Sequence, residues 1–181
     1  MHRSIPTPIA HPHAPHPLQA GKSDSTWIFT QWEGVLAQRA GQDLRCFHLE
    51  DYGIPYGYSP VLLAHPDMIA NAKGADILRR FLAATAEGYK RAAADPAAAA
   101  AAIVASGHPS VADAAFVHAA AEATADRYLT TEGTWGAMHH ERWARFLGFL
   151  ASEGILTDRQ GVAIEAARVD VAQLFTNELL Q

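Results

Sequence analysis

The chain has 181 residues, of which 49% are hydrophobic and 18% charged, and its formal net charge is −5. That balance belongs to a folded globular protein, long enough for one ordinary domain or for part of a two-lobed one. The acidic balance, with no basic block interleaved with aromatics, excludes a nucleic-acid partner. The longest apolar run, the alanine-rich 92–105, is broken by Asp95 and Pro96 and is too weakly hydrophobic to span a bilayer.

Residues 1–17 are rich in Pro and His and are expected to form an extended or disordered tail, because repeated Pro removes backbone donors and fixes φ. His2, His11, His13 and His16 crowd there without a rigid frame or acidic partners, so no metal site is assigned. The stretch has no continuous apolar run, and no secretory signal is read in it. Leu18–Asp24 reads as a helix end with Gly21 as its cap, followed by a turn.

Three short strands are predicted, at 25–30, 44–49 and 60–64, from their β-branched and aromatic content. The single cysteine, Cys46, falls in the apolar LRCF run of the second and is read as a buried small hydrophobe. A helix is predicted over 31–39 from Trp32, Val35 and Leu36. The Gly/Pro-dense segment 51–58 reads as a crossing loop.

From Pro66 onward the pattern is helical. Pro66 and Asp67 suit a first turn, and Ala75–Ala94 carries an apolar stripe of Ile77, Leu78, Phe81, Leu82 and Tyr89. Asp95–Pro96 is a start signal for a helix that stops at Ser106–Gly107. Another helix is predicted over 111–128. A loop, TTEGTWGAM, precedes a helix over 139–152 with Trp143, Phe146, Leu147 and Leu150 on one face and Gly154 as its cap. The fold class expected from this order is α/β, with a few short strands followed by a run of helices.

No nucleotide-binding glycine loop, nucleophile elbow, HExxH or EF-hand pattern is present, so no catalytic residue is assigned. His139 and His140 are adjacent and point about 100° apart on a helix, so they do not grip one metal together. What remains is the stretch Trp27–Pro60. Trp27, Trp32, Tyr52, Tyr56 and Tyr58 offer flat apolar walls with polar tips, and Glu33 is a carboxylate able to accept from an amino group on a flat heterocycle. The alternative is that the tryptophans are core and Glu33 is an acid favoured by a helix N-terminus.

Five pieces carry a resemblance: LQAGKSDSTWIFTQWEG, LEDYGIPYGYSPVLLAHPDMI, LRRFLAATAEGYKRAAADPAAAAAAI, WGAMHHERWARFLGFLASEGIL and FTNELL. In this order they resemble the C-terminal half of the thiamine-pyrimidine precursor-binding proteins of ABC transporters, within the wider group of sulfonate-binding proteins and fungal pyrimidine synthases. The resemblance implies a partial periplasmic-binding-protein type II fold. Residues 18–50 would end one lobe, 51–60 would cross back, and 61–181 would supply helices of the other lobe. It implies an aminopyrimidine ligand, with Trp32 and Glu33 lining the cleft, Tyr56 or Tyr58 entering from the crossing, and Trp27 nearby. It also implies an ABC permease as partner and an extracytoplasmic location, although the chain as written carries no export signal.

Residues 1–17 do not look like family sequence, and the family's first half is missing. Hence self-association through an exposed apolar flank is expected. The reactive histidine, cofactor-linked lysine and cysteine-rich motif of the synthase relatives fall in segments this chain lacks, so no cofactor and no metal are implied. A pyrimidine synthase-like enzyme and a non-binding helical interaction module are the alternatives.

Overall fold

The computed structural model describes residues 21–180. The expected tail at 1–17, and the helix end preceding Gly21, lie outside them. Of the described residues 55% are helical and 1% are in strand, with no sheet. They divide into two units, 21–44 with Arg91–Arg127 and Arg45–Lys90 with 128–180.

The first unit begins with a five-residue π-turn, Thr30–Gly34, that runs directly into helix α1, Val35–Arg39. The Phe29 carbonyl accepts from both Trp32 N–H (2.9 Å) and Gly34 N–H (3.2 Å), the second being the i→i+5 bond of the wide turn. Helix α4, Pro96–Ala105, starts where Pro fixes φ for a first turn and Asp95 Oδ1 accepts from Ala98 N–H at 2.9 Å. It ends at Gly107, whose φ of 70° is the left-handed conformation that stops a helix cheaply.

Helix α5, Ala114–Thr124, begins later than the sequence signal suggested. Pro109–Val111 forms a separate 3₁₀ turn capped by His108, and the helix start falls to Asp113. The core of this unit is Val35, Ala100, Phe116, Val117, Ala120 and Ala121, with Val104, Val111 and Ala119 around it. Alanines on α4 and α5 let the two helices approach closely, and Ala100 is fully buried between them.

In the second unit a 3₁₀ turn, Leu49–Tyr52, is closed by Gly53 at φ 67°. A five-residue helix α2, Pro66–Ala70, is capped by His65, whose Nδ1 accepts from Asp67 N–H at 3.2 Å. Asn71 then breaks the chain direction, and its Oδ1 caps the start of α3 by accepting from Gly74 N–H at 2.7 Å. Gly74 is required there, because a Cβ at this position would collide with the Met68 carbonyl.

Helix α3, Ala72–Ala94, runs from the second unit into the first. Helix α6, His140–Ser152, buries Leu147 beside the 3₁₀ turns Ala166–Arg168 and Val171–Gln173. Gly154, at φ 65°, ends it.

The α/β expectation, and with it the partial two-lobed binding-protein fold, is overturned. Residues 25–29, 44–48 and 60–64 are irregular, and among the described residues the only strand-like pairing is one antiparallel bridge, Thr157–Ala163. A β-branched run becomes a strand only when a neighbouring strand takes up its N–H and C=O groups. Thr30 is instead drawn into the π-turn. Cys46 is exposed, not buried, because the segment that carries it has no sheet to cover it.

Asp113 joins two elements. Its Oδ1 accepts from Phe116 N–H at 2.9 Å and its Oδ2 from Arg39 Nη2 at 3.3 Å. Both side chains of the ion pair are over a third exposed, so the cap outweighs the pair. Asp113→Ala is expected to lower stability by about 1–2 kcal/mol and Arg39→Ala by less than about 1 kcal/mol, read from urea unfolding followed by circular dichroism.

Candidate functional site

Trp27, Trp32 and Glu33 lie in the first unit and Tyr56 and Tyr58 in the second. Glu33 sits at the fourth position of the π-turn, and its Oε2 accepts from the Phe29 N–H at 2.9 Å. The carboxylate thereby satisfies a donor that the wide turn leaves unpaired, in the manner of the returning half of a capping box. Its other oxygen makes no hydrogen bond among the described residues.

Trp32 makes a T-shaped contact with Phe116, with centroids 4.5 Å apart and planes at 78°, and keeps 36% of its surface exposed. Trp27 is 59% exposed. Trp32 thus helps anchor the unit through Phe116 while part of its surface stays exposed.

In the second unit Tyr56–Gly57–Tyr58 lies along α6. Tyr56 meets Phe146 at 5.7 Å and Tyr58 meets Trp143 at 5.6 Å between centroids. Between them Gly57 is buried against the Phe146 ring, where an added Cβ would come to 2.9 Å. Arg142 completes the arrangement. Its guanidinium carbon stands 4.4 Å from the Tyr58 ring centroid, and its Nε donates to the Tyr56 carbonyl at 3.2 Å. The Tyr58 hydroxyl accepts from His139 N–H at 2.9 Å, at the N-cap of α6.

Sequence reasoning missed Arg142, whose only signal was its place beside Trp143 in the helix. The Trp143 indole N–H is buried and has no hydrogen-bond partner among the described residues. Asn177, within FTNELL, exchanges two hydrogen bonds with Met138 of WGAM, at 2.8 and 3.1 Å. Two of the sequence pieces singled out are thus tied to each other. An open depression of about 510 Å³ beside α6 is lined by His140, Ala144, Leu147, Arg168 and Asp170, among others, and by none of the five predicted residues. Its acid is already engaged, because Asp170 Oδ1 accepts from Ala172 N–H at 3.0 Å.

Loop 130–134 perturbs a carboxylate. The Thr131 hydroxyl, donating at 2.7 Å, keeps the Glu132 carboxyl below the usual carboxylate range. The Thr130 hydroxyl, the local backbone N–H and the charge of His139 act in the same direction.

A model of the NMT1/THI5-like family matches residues 8–99, half of the chain. The chain belongs to the NMT1/THI5-like family. No curated protein and no solved structure matches it. The NMT1/THI5-like match takes in all five predicted residues. It begins at residue 8, inside the Pro/His-rich stretch that was expected to lie outside the family pattern, and ends within α4. The α6 piece and FTNELL lie beyond it.

Gly57→Ala is expected to cost about 1–3 kcal/mol in thermal or urea unfolding, with part recovered by adding Phe146→Leu, since the collision is with that ring. For Glu132 the folded-state value is lowered, so its stability contribution is present above the ordinary carboxylate range and disappears as pH falls through the lowered value. A titration of the Glu132 carboxyl by nuclear magnetic resonance should have its midpoint below that of an ordinary glutamate, and Thr131→Ala should move it upward.

Proposed function

We propose that this NMT1/THI5-like chain is a binding protein for a thiamine-precursor aminopyrimidine, the substrate-binding component of an ABC importer. The observation that carries this reading is that the family match covers a stretch in which Trp32 and Glu33 adjoin on one turn, the ring partly exposed and the carboxylate keeping one oxygen for a donor. The exposed part of the indole offers a stacking surface for a flat ring, and Glu33 Oε1 an acceptor for its amino group. Trp27, exposed a few residues upstream in the same unit, supplies a further aromatic surface. On this reading the partner is an ABC permease and the protein acts outside the cytoplasmic membrane. No helix among the described residues is long and apolar enough to cross a membrane.

Calorimetric titration with a formylaminopyrimidine tests the reading. Saturable binding is expected, and Glu33→Gln should weaken it about tenfold or more, the loss of one charge-assisted hydrogen bond. Gln retains an oxygen for the Phe29 N–H, so the π-turn survives the substitution. Trp32→Ala should weaken binding further. Absence of binding, or an affinity unmoved by Glu33→Gln, overturns the assignment. An imine absorbance on adding pyridoxal phosphate would transfer support to a synthase-like enzyme.

A further inference from the structure

Helix α3 carries an apolar strip that the described residues leave exposed. Leu78 and Leu82 are half-buried, but Ile77 and Phe81 are 42% and 53% exposed, and Ala84 and Gly88 continue the same line on the exposed side. The spacing 77, 81, 84, 88 alternates four and three, which is the seam of a two-helix coiled pair. Large residues occupy its first half and small ones its second half.

Gly88 sharpens the point. A glycine in a helix interior costs about 1 kcal/mol relative to alanine. Nothing among the described residues requires it, because a Cβ built at Gly88 meets none of their atoms within 4 Å.

We propose that α3 pairs antiparallel with α3 of a second copy of this chain, about a two-fold axis passing between residues 82 and 83. In that register Phe81 lies over Ala84 of the second copy, and Ile77 over Gly88. Each large side chain meets a small one, twice by symmetry. The same register decides the charges. Arg80 and Glu87 occupy equivalent flanking positions on one side of the seam, and antiparallel pairing sets Arg80 beside Glu87 of the second copy. Arg80 is already oriented by Asp76, 3.1 Å away on the preceding turn. A parallel pairing would instead stack Phe81 on Phe81 and set Arg80 level with Arg80, and is disfavoured on both counts. With two large residues per copy the seam is small beside the roughly 800 Å² per partner of a standard interface, so the dimer is a weak one.

Sedimentation equilibrium of the full chain, from micromolar to several hundred micromolar, tests the proposal. A reversible monomer–dimer equilibrium is expected, weakened by salt because the flanking ion pairs are exposed. Phe81→Glu should raise the dissociation constant at least about tenfold with an unchanged circular dichroism spectrum, since the side chain is exposed in the monomer. Arg80→Glu and Glu87→Arg should each weaken the dimer about two- to fivefold, and together restore it. Gly88→Leu should raise the monomer's melting temperature while weakening the dimer, a divergence that a merely local helix effect does not produce. A chain that stays monomeric throughout overturns the proposal. So does a dimer indifferent to Phe81→Glu, or a charge-swapped double variant that fails to recover.

Discussion

The bond from the Phe29 N–H to Glu33 Oε2 fixes how the segment 27–39 is built. A π-turn opens the backbone more than an α-turn does and leaves donors unpaired at its start. Glu33 answers one of them from within the turn. With that donor satisfied, Trp32 falls onto Phe116 and Val35 onto the α4–α5 core, and α1 takes its place through three successive neighbours. The acid that the sequence offers as a ligand-holding group is therefore first a structural group. A carboxylate has two oxygens, however, and the structure uses one. In the proposed site, the structural role falls to one oxygen of Glu33 and to the Phe116 contact of Trp32, and recognition would use the other oxygen and the exposed part of the indole.

Burial elsewhere is thin. Eleven hydrophobic residues are buried among those described, and five of these are alanines, whereas eighteen large hydrophobics are exposed. Alanine burial contributes little apolar area per residue. The helices are held instead by their ends: Asp95, Asp113, His65, His108 and Asn71 each accept a backbone N–H at a helix or 3₁₀ start. Caps set where helices begin, but they do not cover side faces, and α3 shows the consequence in Ile77 and Phe81.

What was legible in the sequence follows the same division. Helix starts are local chemistry, a Pro or an acid at a fixed offset, and the helices at Pro66 and Asp95–Pro96 start where such signals put them, while the 139–152 helix, read from its apolar face, runs His140–Ser152. The exception, α5, shows two start signals in competition, with Asp113 prevailing over Pro109–Ser110 because it both caps Phe116 and reaches Arg39. Strands are not local. Residues 44–49 and 60–64 have strand composition, but a strand exists only with a partner, and the exposed Phe47, Leu62 and Leu63 mark where composition and pairing part. Cys46 was misjudged for the same reason. Arg142 was invisible because a guanidinium on a tyrosine ring depends on two segments far apart in sequence meeting, and no spacing rule encodes that.

Tyr56 and Tyr58 show how one residue type in one motif separates into roles. Both were singled out for flat rings with polar tips, and in the structure both rings have neighbours on α6. Tyr58 receives a backbone N–H on its hydroxyl and a cation on its face, so its ring and tip are both occupied by the protein itself. Trp32 and Glu33 differ in that their structural contacts leave a surface and an oxygen over. The distinction is physical and not statistical: a group already saturated by its own fold has less to give a ligand, because each ligand contact must replace an existing one. By that criterion the proposed aminopyrimidine site is better served by the Trp32–Glu33 turn than by the tyrosines of the Gly/Pro segment, whose rings pack against α6.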